Sequence, residues 1–216
     1  MKNKKNKFIT FEGIDGCGKS TQSEKITKWF SEYTGLETLK TFEPGDWAGG
    51  KLLRELVLSD KNFDGLPELF LFLADRAGHL NNVILPALNS NKNVICERYT
   101  DSTIAYQTSH EINVKKIIDS CEFPEPDLTI LLDIPPELAI KRVQNRNSNK
   151  NNKFENDKFE SEGLIFMRKV SEAYNRLADE NKNRYLKISV TENLTQQEIF
   201  EKIISGIKTK LFKENF

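Results

Sequence analysis

Gly13-Ile14-Asp15-Gly16-Cys17-Gly18-Lys19-Ser20 decides the fold, because it fits G-x-x-x-x-G-K-[ST] in full. Glycines let the backbone curl until successive N–H groups point at one anion. The segments on either side agree with that reading. Phe8-Ile9-Thr10-Phe11 is a short β-rich run that Gly13 stops, and from Lys19 onward Ile26, Phe30 and Tyr33 recur at helical spacing. Strand, glycine turn and helix in that order offer a phosphate the positive end of the helix. Gly13, Ile14, Asp15, Gly16, Cys17, Gly18, Lys19, Ser20 and Thr21 are therefore assigned to the cradle of a nucleoside triphosphate. Lys19 reaches its β- and γ-phosphates and the Ser20 hydroxyl ligates Mg²⁺.

Outward from the loop, strands and helices alternate. Leu36 to Phe42 reads as a second strand, and Leu52 to Leu58 as a helix. A long apolar helix starts near Pro67 and carries Leu69, Phe70, Leu73, Leu80, Val83 and Ile84. Asn93 to Cys96 is a strand ending in Glu97-Arg98. Asp127 to Asp133 is another, nearly all apolar, as a strand covered on both faces should be. Pro136 to Val143 resumes helix, and Asn145 to Asp157 is an Asn/Lys-rich stretch read as a mobile loop. Glu162 to Leu177 is helical, Arg184 to Val190 a last strand, and Thr195 to Leu211 a closing helix with Ile199, Ile203 and Ile207 on one side. The pattern predicts an α/β chain with a mainly parallel, five-stranded sheet between helices, a P-loop NTPase-like three-layer fold. There is no repeat and no linker, so residues 1–216 are read as one domain with a solvated tail over about 1–6.

Composition excludes several classes. Lysine plus arginine number 32, and so do aspartate plus glutamate, so bulk charge suggests no nucleic-acid partner. Cys17, Cys96 and Cys121 make no metal-ligand or redox spacing and read as reduced thiols in a cytoplasm. No apolar run approaches the ~20 residues of a membrane span, and Met1 to Lys7 lacks the apolar stretch of a signal peptide.

A phosphate loop serves kinases, motors and switches alike, so the acceptor side must narrow the choice. Glu43-Pro44-Gly45 ends the second strand. Phe72-Leu73-Ala74-Asp75-Arg76-Ala77 lies in the apolar helix. Glu97-Arg98-Tyr99 ends the third strand, and Ser102-Thr103-Ile104-Ala105-Tyr106-Gln107 follows closely. Parallel strands present ligands at their carboxyl ends, so Glu43, Arg98 and the glycine loop converge on one crevice. With Phe11-Glu12-Gly13-Ile14-Asp15-Gly16, these segments resemble, in order and over nearly the whole chain, the thymidylate kinases of bacterial type.

The resemblance implies transfer of the ATP γ-phosphate to dTMP, with Mg²⁺, to give dTDP for dTTP synthesis. It implies that Arg98 holds the acceptor phosphate and bridges towards the transferred group, a task suited to a permanently charged, forked guanidinium. Arg76 then reaches the thymine edge, and Phe72 stacks on the ring. Ser102, Thr103 and Gln107 lie near base or phosphate. Tyr106 lies beneath the deoxyribose, Asp15 approaches the 3′-OH, and Arg54 and Glu43 line the same pocket. Glu97 helps hold Mg²⁺ through water. His79 and His110 match no role. A homodimer is implied through the helix around Leu69 to Leu80.

The same resemblance places a lid over about residues 142–160, led in by Arg142 and Arg146. Its Asp-Arg-hydrophobic-Glu motif is matched by Asp157-Lys158-Phe159-Glu160, which makes Lys158 the lid cation, with Arg146 beside it; Asn152-Lys153-Phe154-Glu155 is a competing match. The sequence departs from the family pattern elsewhere too. Glu97 replaces the usual aspartate, Phe42 stands where an arginine often precedes Glu-Pro-Gly, and Asp46 replaces a second glycine. These changes leave open a kinase for another deoxynucleoside monophosphate or one of relaxed range. A P-loop switch that transfers nothing is the reading from a different class.

Overall fold

The computed structural model describes residues 5–59, 65–107, 113–149 and 163–213. Five strands make the sheet: β1 (Phe8–Glu12), β2 (Thr38–Phe42), β3 (Asn93–Glu97), β4 (Leu128–Asp133) and β5 (Tyr185–Ser189). Their order is β2-β3-β1-β4-β5, with every pairing parallel, as the alternating pattern implies. All carboxyl ends therefore open on one edge. β1 is central, and its register sets Phe11 beside both Glu97 and Ile130.

Alternation along β1 and β3 explains why both read as apolar runs. Ile9, Phe11 and Ile95 join the larger core, while Phe8, Val94 and Cys96 join a second core on the opposite face. Between β1 and β4 the buried Thr10 and Thr129 hydroxyls satisfy each other at 2.9 Å.

The helices are α1 (Lys19–Thr34), α2 (Gly50–Leu58), α3 (Leu66–His79), α4 (Leu85–Asn89), α5 (Thr100–Tyr106), α6 (Val114–Ser120), α7 (Pro136–Asn149), α8 (Gly163–Glu180) and α9 (Gln196–Phe212). The larger core takes Ile26 and Phe30 from α1, Val170, Ala173, Tyr174 and Leu177 from α8, and Ile199, Ile203 and Ile207 from α9. α9 begins with a capping box, in which Thr195 accepts the Glu198 amide and Glu198 accepts the Thr195 amide.

Three sequence expectations need correction. The long apolar helix is interrupted by a π-helical turn, Leu80–Ile84, between α3 and α4. Pro86 has no N–H to give and its ring crowds the preceding turn, which the wider turn accommodates; the Asn82 side-chain amide also donates to the Gly78 carbonyl at 2.7 Å. Second, α7 runs on to Asn149, where the sequence suggested a loop from Asn145. Gln144, Asn145 and Arg146 are exposed, so no apolar repeat marks this part of the helix. Third, α5 and α6 are short helices that hydrophobic spacing did not disclose. The lid motif, including Lys153 and Lys158, lies outside the described residues, as does His110.

Candidate active site

The glycine loop joins β1 to α1, and its geometry needs glycine. At Gly16, φ is 84° and a Cβ would lie 2.4 Å from the Ala139 carbonyl oxygen; at Gly13, φ is 138° and a Cβ would lie 2.7 Å from the Leu132 carbonyl oxygen. The Lys19 ammonium lies inside the curl and donates to the carbonyls of Gly13 (2.8 Å) and Ile14 (3.1 Å). Cys17 is buried in the loop wall. Thr21 is exposed on the first turn of α1.

At the end of β3, the Glu97 carboxylate collects three donors from two elements, α1 and β2. Ser20 Oγ donates at 2.7 Å, Ser23 Oγ at 2.6 Å and Lys40 Nζ at 3.0 Å. Burial would raise this carboxyl, but those hydrogen bonds prevail and hold it below its usual range. Ser20 and Glu97 are hard oxygen donors side by side, a donor pair that suits Mg²⁺ with part of its water shell retained. Lys40, from β2, is a cation beside this pair that the sequence reading did not assign.

The next residue, Arg98, turns into the cleft with φ of 67°, a backbone conformation that bulky residues avoid. Its Nη2 donates to Asp15 (2.7 Å) and to the Tyr106 hydroxyl (3.0 Å), and its guanidinium lies over the Tyr106 ring at 4.9 Å. Tyr106 OH also donates to Asp15 at 3.2 Å. For Asp15, burial works to raise the carboxyl, but Arg98 and Lys19 outweigh it and bring it down to about 2. The pair is ionised at neutral pH.

A second cation is organised deeper. Arg76, from α3, is almost fully buried and donates through Nε to Glu43 (2.8 Å) and through Nη2 to Thr103 (3.0 Å). Its Nη1 is buried with no hydrogen-bond partner among the described residues. An uncompensated guanidinium N–H costs free energy unless a ligand accepts from it. Glu43 is held from the other side by His79, whose Nδ1 lies 3.1 Å from it and whose Nε2 lies 2.6 Å from Thr41 Oγ1. Thr41 in turn donates to Asp46 at 2.8 Å. His79, read from sequence as an ordinary residue, thus belongs to the support of Arg76. Cys96 lies close to Glu43 and His79, but burial, reinforced by Glu43, pushes its thiol well up, and Arg76 already neutralises the carboxylate.

These groups line one cleft of about 350 Å³. Lys19, Ser20 and Glu97 share it with Asp15, Arg98, Ser102, Tyr106, Thr103, Arg76, Phe72, Glu43 and Arg54. Arg54 donates to the Pro44 carbonyl at 2.7 Å and lies over the Phe42 ring, 5.6 Å from its centroid. The departure at Phe42 therefore gives Arg54 a platform. Asp75 anchors the loop after β2, accepting from the Gly45 amide at 3.1 Å and from Trp47 Nε1 at 2.9 Å. Two expected residues stand apart. Gln107 turns to Glu68 at 3.3 Å and is not among the cleft lining. Arg146 is exposed on α7, also outside that lining.

A glycine cradle with its lysine and serine, sharing one cleft with two further organised cations, Arg98 and Arg76, is the equipment of a P-loop phosphotransferase with a small phosphorylated acceptor. Comparison with known proteins agrees. Residues 11–203 match the thymidylate kinase family. The thymidylate kinase of Maridesulfovibrio salexigens is 42% identical over 94% of this chain and 96% of its own length. The probable thymidylate kinase of Pyrococcus abyssi is 40% identical over 94% and 97%. The crystal structure of the Ehrlichia chaffeensis thymidylate kinase superposes with a TM-score of 0.72 at 28% identity, covering 94% of this chain and 99% of that one. The chain belongs to the thymidylate kinase family, and with it to the ATP-dependent nucleoside monophosphate kinases.

Proposed function

We propose that ATP and dTMP meet in this cleft and that the γ-phosphoryl group passes to dTMP, giving ADP and dTDP. The observation that carries the reading is the buried Nη1 of Arg76, unpaired among the described residues, in a pocket walled by Phe72. An aromatic face and a fixed N–H donor suit a planar base with a carbonyl edge. Arg98 takes the acceptor phosphate, Lys19 and the loop amides the donor. Phosphoryl transfer asks the protein for in-line placement and for positive charge around the moving group, and Arg98 and Lys19 supply both. Asp15 lies where its carboxylate keeps Arg98 turned towards the loop and faces the acceptor sugar. Ser20 and Glu97 would hold Mg²⁺, which when bound draws charge from the phosphate oxygens.

Leu66 and Phe70 stand one helical turn apart on α3, 44% and 56% exposed, with Leu52 of α2 65% exposed. Such apolar side chains support a homodimer through α3, by Leu66 and Phe70 and not by Leu69, Leu73 and Leu80, which are buried within the protomer. Among the described residues no helix is long and apolar enough to cross a membrane. The three free cysteines support a reducing compartment such as the cytoplasm.

Coupled ADP-release kinetics with ATP and a panel of monophosphates test the assignment. dTMP is expected to be the best acceptor, dUMP weaker and ribothymidine monophosphate poorer still. Faster turnover of dCMP, dGMP or dAMP than of dTMP would overturn it.

A further inference from the structure

Glu12 ends β1 just before the glycine loop and is fully buried, and none of the steps above uses it. Burying a carboxyl is costly unless every oxygen finds a donor. Here each does. Oε1 accepts the Tyr99 amide at 2.8 Å, and Oε2 accepts Ser102 Oγ at 2.6 Å and Tyr174 OH at 2.9 Å. Those two hydroxyls are also the partners of Arg98 Nη1, at 3.2 Å and 3.4 Å. A hydroxyl that gives its proton to a carboxyl keeps its lone pairs for another donor. Glu12 thereby presents two acceptors to one arm of the guanidinium, while Asp15 and Tyr106 take the other.

The backbone repeats the arrangement. Arg98 is held at positive φ by its own amide, which donates to the Phe11 carbonyl at 2.9 Å, and by the next amide, which donates to Glu12. Strain of this kind persists only where the surroundings over-determine it. The last two residues of β1 therefore fix both the main chain and the side chain of Arg98. Tyr174 comes from α8 and Ser102 from α5, so three elements close on one guanidinium.

We propose that Glu12 is a positioning residue for phosphoryl transfer, which together with Ser102 and Tyr174 sets the Arg98 guanidinium against the acceptor phosphate. The inference rests on the reading of Arg98 as the acceptor-side cation. The environment does not favour a charged group at Glu12. Burial, then Asp101, raise its carboxyl, and Ser102, Arg98 and Tyr174 offset this only in part, leaving it at about 7. An apolar residue would avoid that cost but could not orient the two hydroxyls.

A double-mutant cycle tests the inference, because residues that act through one another are non-additive. kcat and KM are measured for the wild type, Glu12→Ala, Arg98→Lys and the double variant. Glu12→Ala is expected to lower kcat ~10-fold or more while KM for ATP stays within ~2-fold. In the Arg98→Lys background the same change is expected to cost no more than ~2-fold. Multiplicative losses in the double variant, or a Glu12→Ala enzyme with normal kcat, would overturn the proposal. Should Glu12→Ala not fold, Tyr174→Phe runs the same cycle with the same criterion. The cycle uses whichever monophosphate turns over. A different preferred acceptor thus removes the dTMP assignment and leaves the bracket under test, whereas a chain that phosphorylates none removes both.

Discussion

Asp15 and Arg98 are joined by a 2.7 Å ion pair, although one belongs to the glycine loop after β1 and the other to the end of β3. Register brings them together. β1 and β3 are adjacent and parallel, with Phe11 opposite Glu97, so the residues just beyond these two strands emerge side by side. In the proposed function the pair couples the donor half of the cleft to the acceptor half.

Arg98→Ala is expected to remove most turnover and to leave ATP binding nearly intact. On the proposed reading the donor is gripped by the loop amides and Lys19, while Arg98 faces the transferring group. Losing a charge-assisted contact to developing phosphoryl charge costs several kcal/mol, or ~10²-fold and more in rate. Titration calorimetry with ATP and single-turnover kinetics separate the two effects. An ATP affinity that falls in step with the rate would move Arg98 to the donor side.

Asp15 gives the pair a pH signature. Its carboxyl is at about 2 in the folded protein against an ordinary 3.8. A depressed carboxyl contributes stability that is present above the unfolded value and lost as pH falls through the folded one. The window is therefore roughly pH 4 down to 2, and the contribution above it about 2 kcal/mol. Asp15→Asn is expected to unfold at lower temperature than the wild type at pH 7, and the gap is expected to narrow by pH 3. Calorimetric melting at both values checks this; an unchanged gap would mean that the ion pair is not the source.

The sequence carries local order well and long-range polar contacts poorly. The loop motif, the strand before it and the helix after it were readable because each depends on neighbouring residues. β1, β3 and β4 showed as apolar runs because both faces are covered. Convergence of Glu43, Arg98 and the loop followed from parallel strands alone. Tyr174 was invisible, because it reaches Arg98 across 76 positions and Glu12 across 162, and a buried tyrosine on an amphipathic helix looks like core. His79 was passed over for the same reason: its partners Thr41 and Glu43 lie on and just beyond another strand. The far end of α7 failed differently. A stretch of Gln, Asn, Arg and Ser carries no hydrophobic period, and composition pointed to a loop.

The loop glycines differ in what they tolerate. Gly16 and Gly18 both have positive φ, 84° and 100°, but a Cβ at Gly18 meets nothing within 4 Å, whereas at Gly16 it meets the Ala139 backbone at 2.4 Å. Gly18→Ala then incurs mainly the left-handed penalty, about 1–2 kcal/mol. Gly16→Ala adds a clash with main chain that cannot swing aside. Urea unfolding is expected to rank Gly16→Ala as the less stable by a clear margin. Equal midpoints would mean that the first turn of α7 yields more readily than its packing suggests.

Arg76 has two tasks that a pair of variants can separate. It neutralises Glu43 at a buried site, through an ion pair of 2.8 Å, and it leaves Nη1 without a partner among the described residues. Arg76→Met alone strands a buried carboxylate, and breaking such a pair typically costs about 3–5 kcal/mol. Replacing both members, Arg76→Met with Glu43→Gln, removes the stranded charge, so much of the lost stability is expected to return. The Nη1 donor does not return. If it serves the acceptor base, KM for dTMP stays raised in the double variant, by ~10-fold or more for one charge-assisted hydrogen bond of 1.5–3 kcal/mol, while KM for ATP is unaffected. Thermal unfolding follows the first task and steady-state kinetics the second. A double variant that regains both stability and the wild-type KM for dTMP would show that Arg76 only supports the pocket and that another group reads the base.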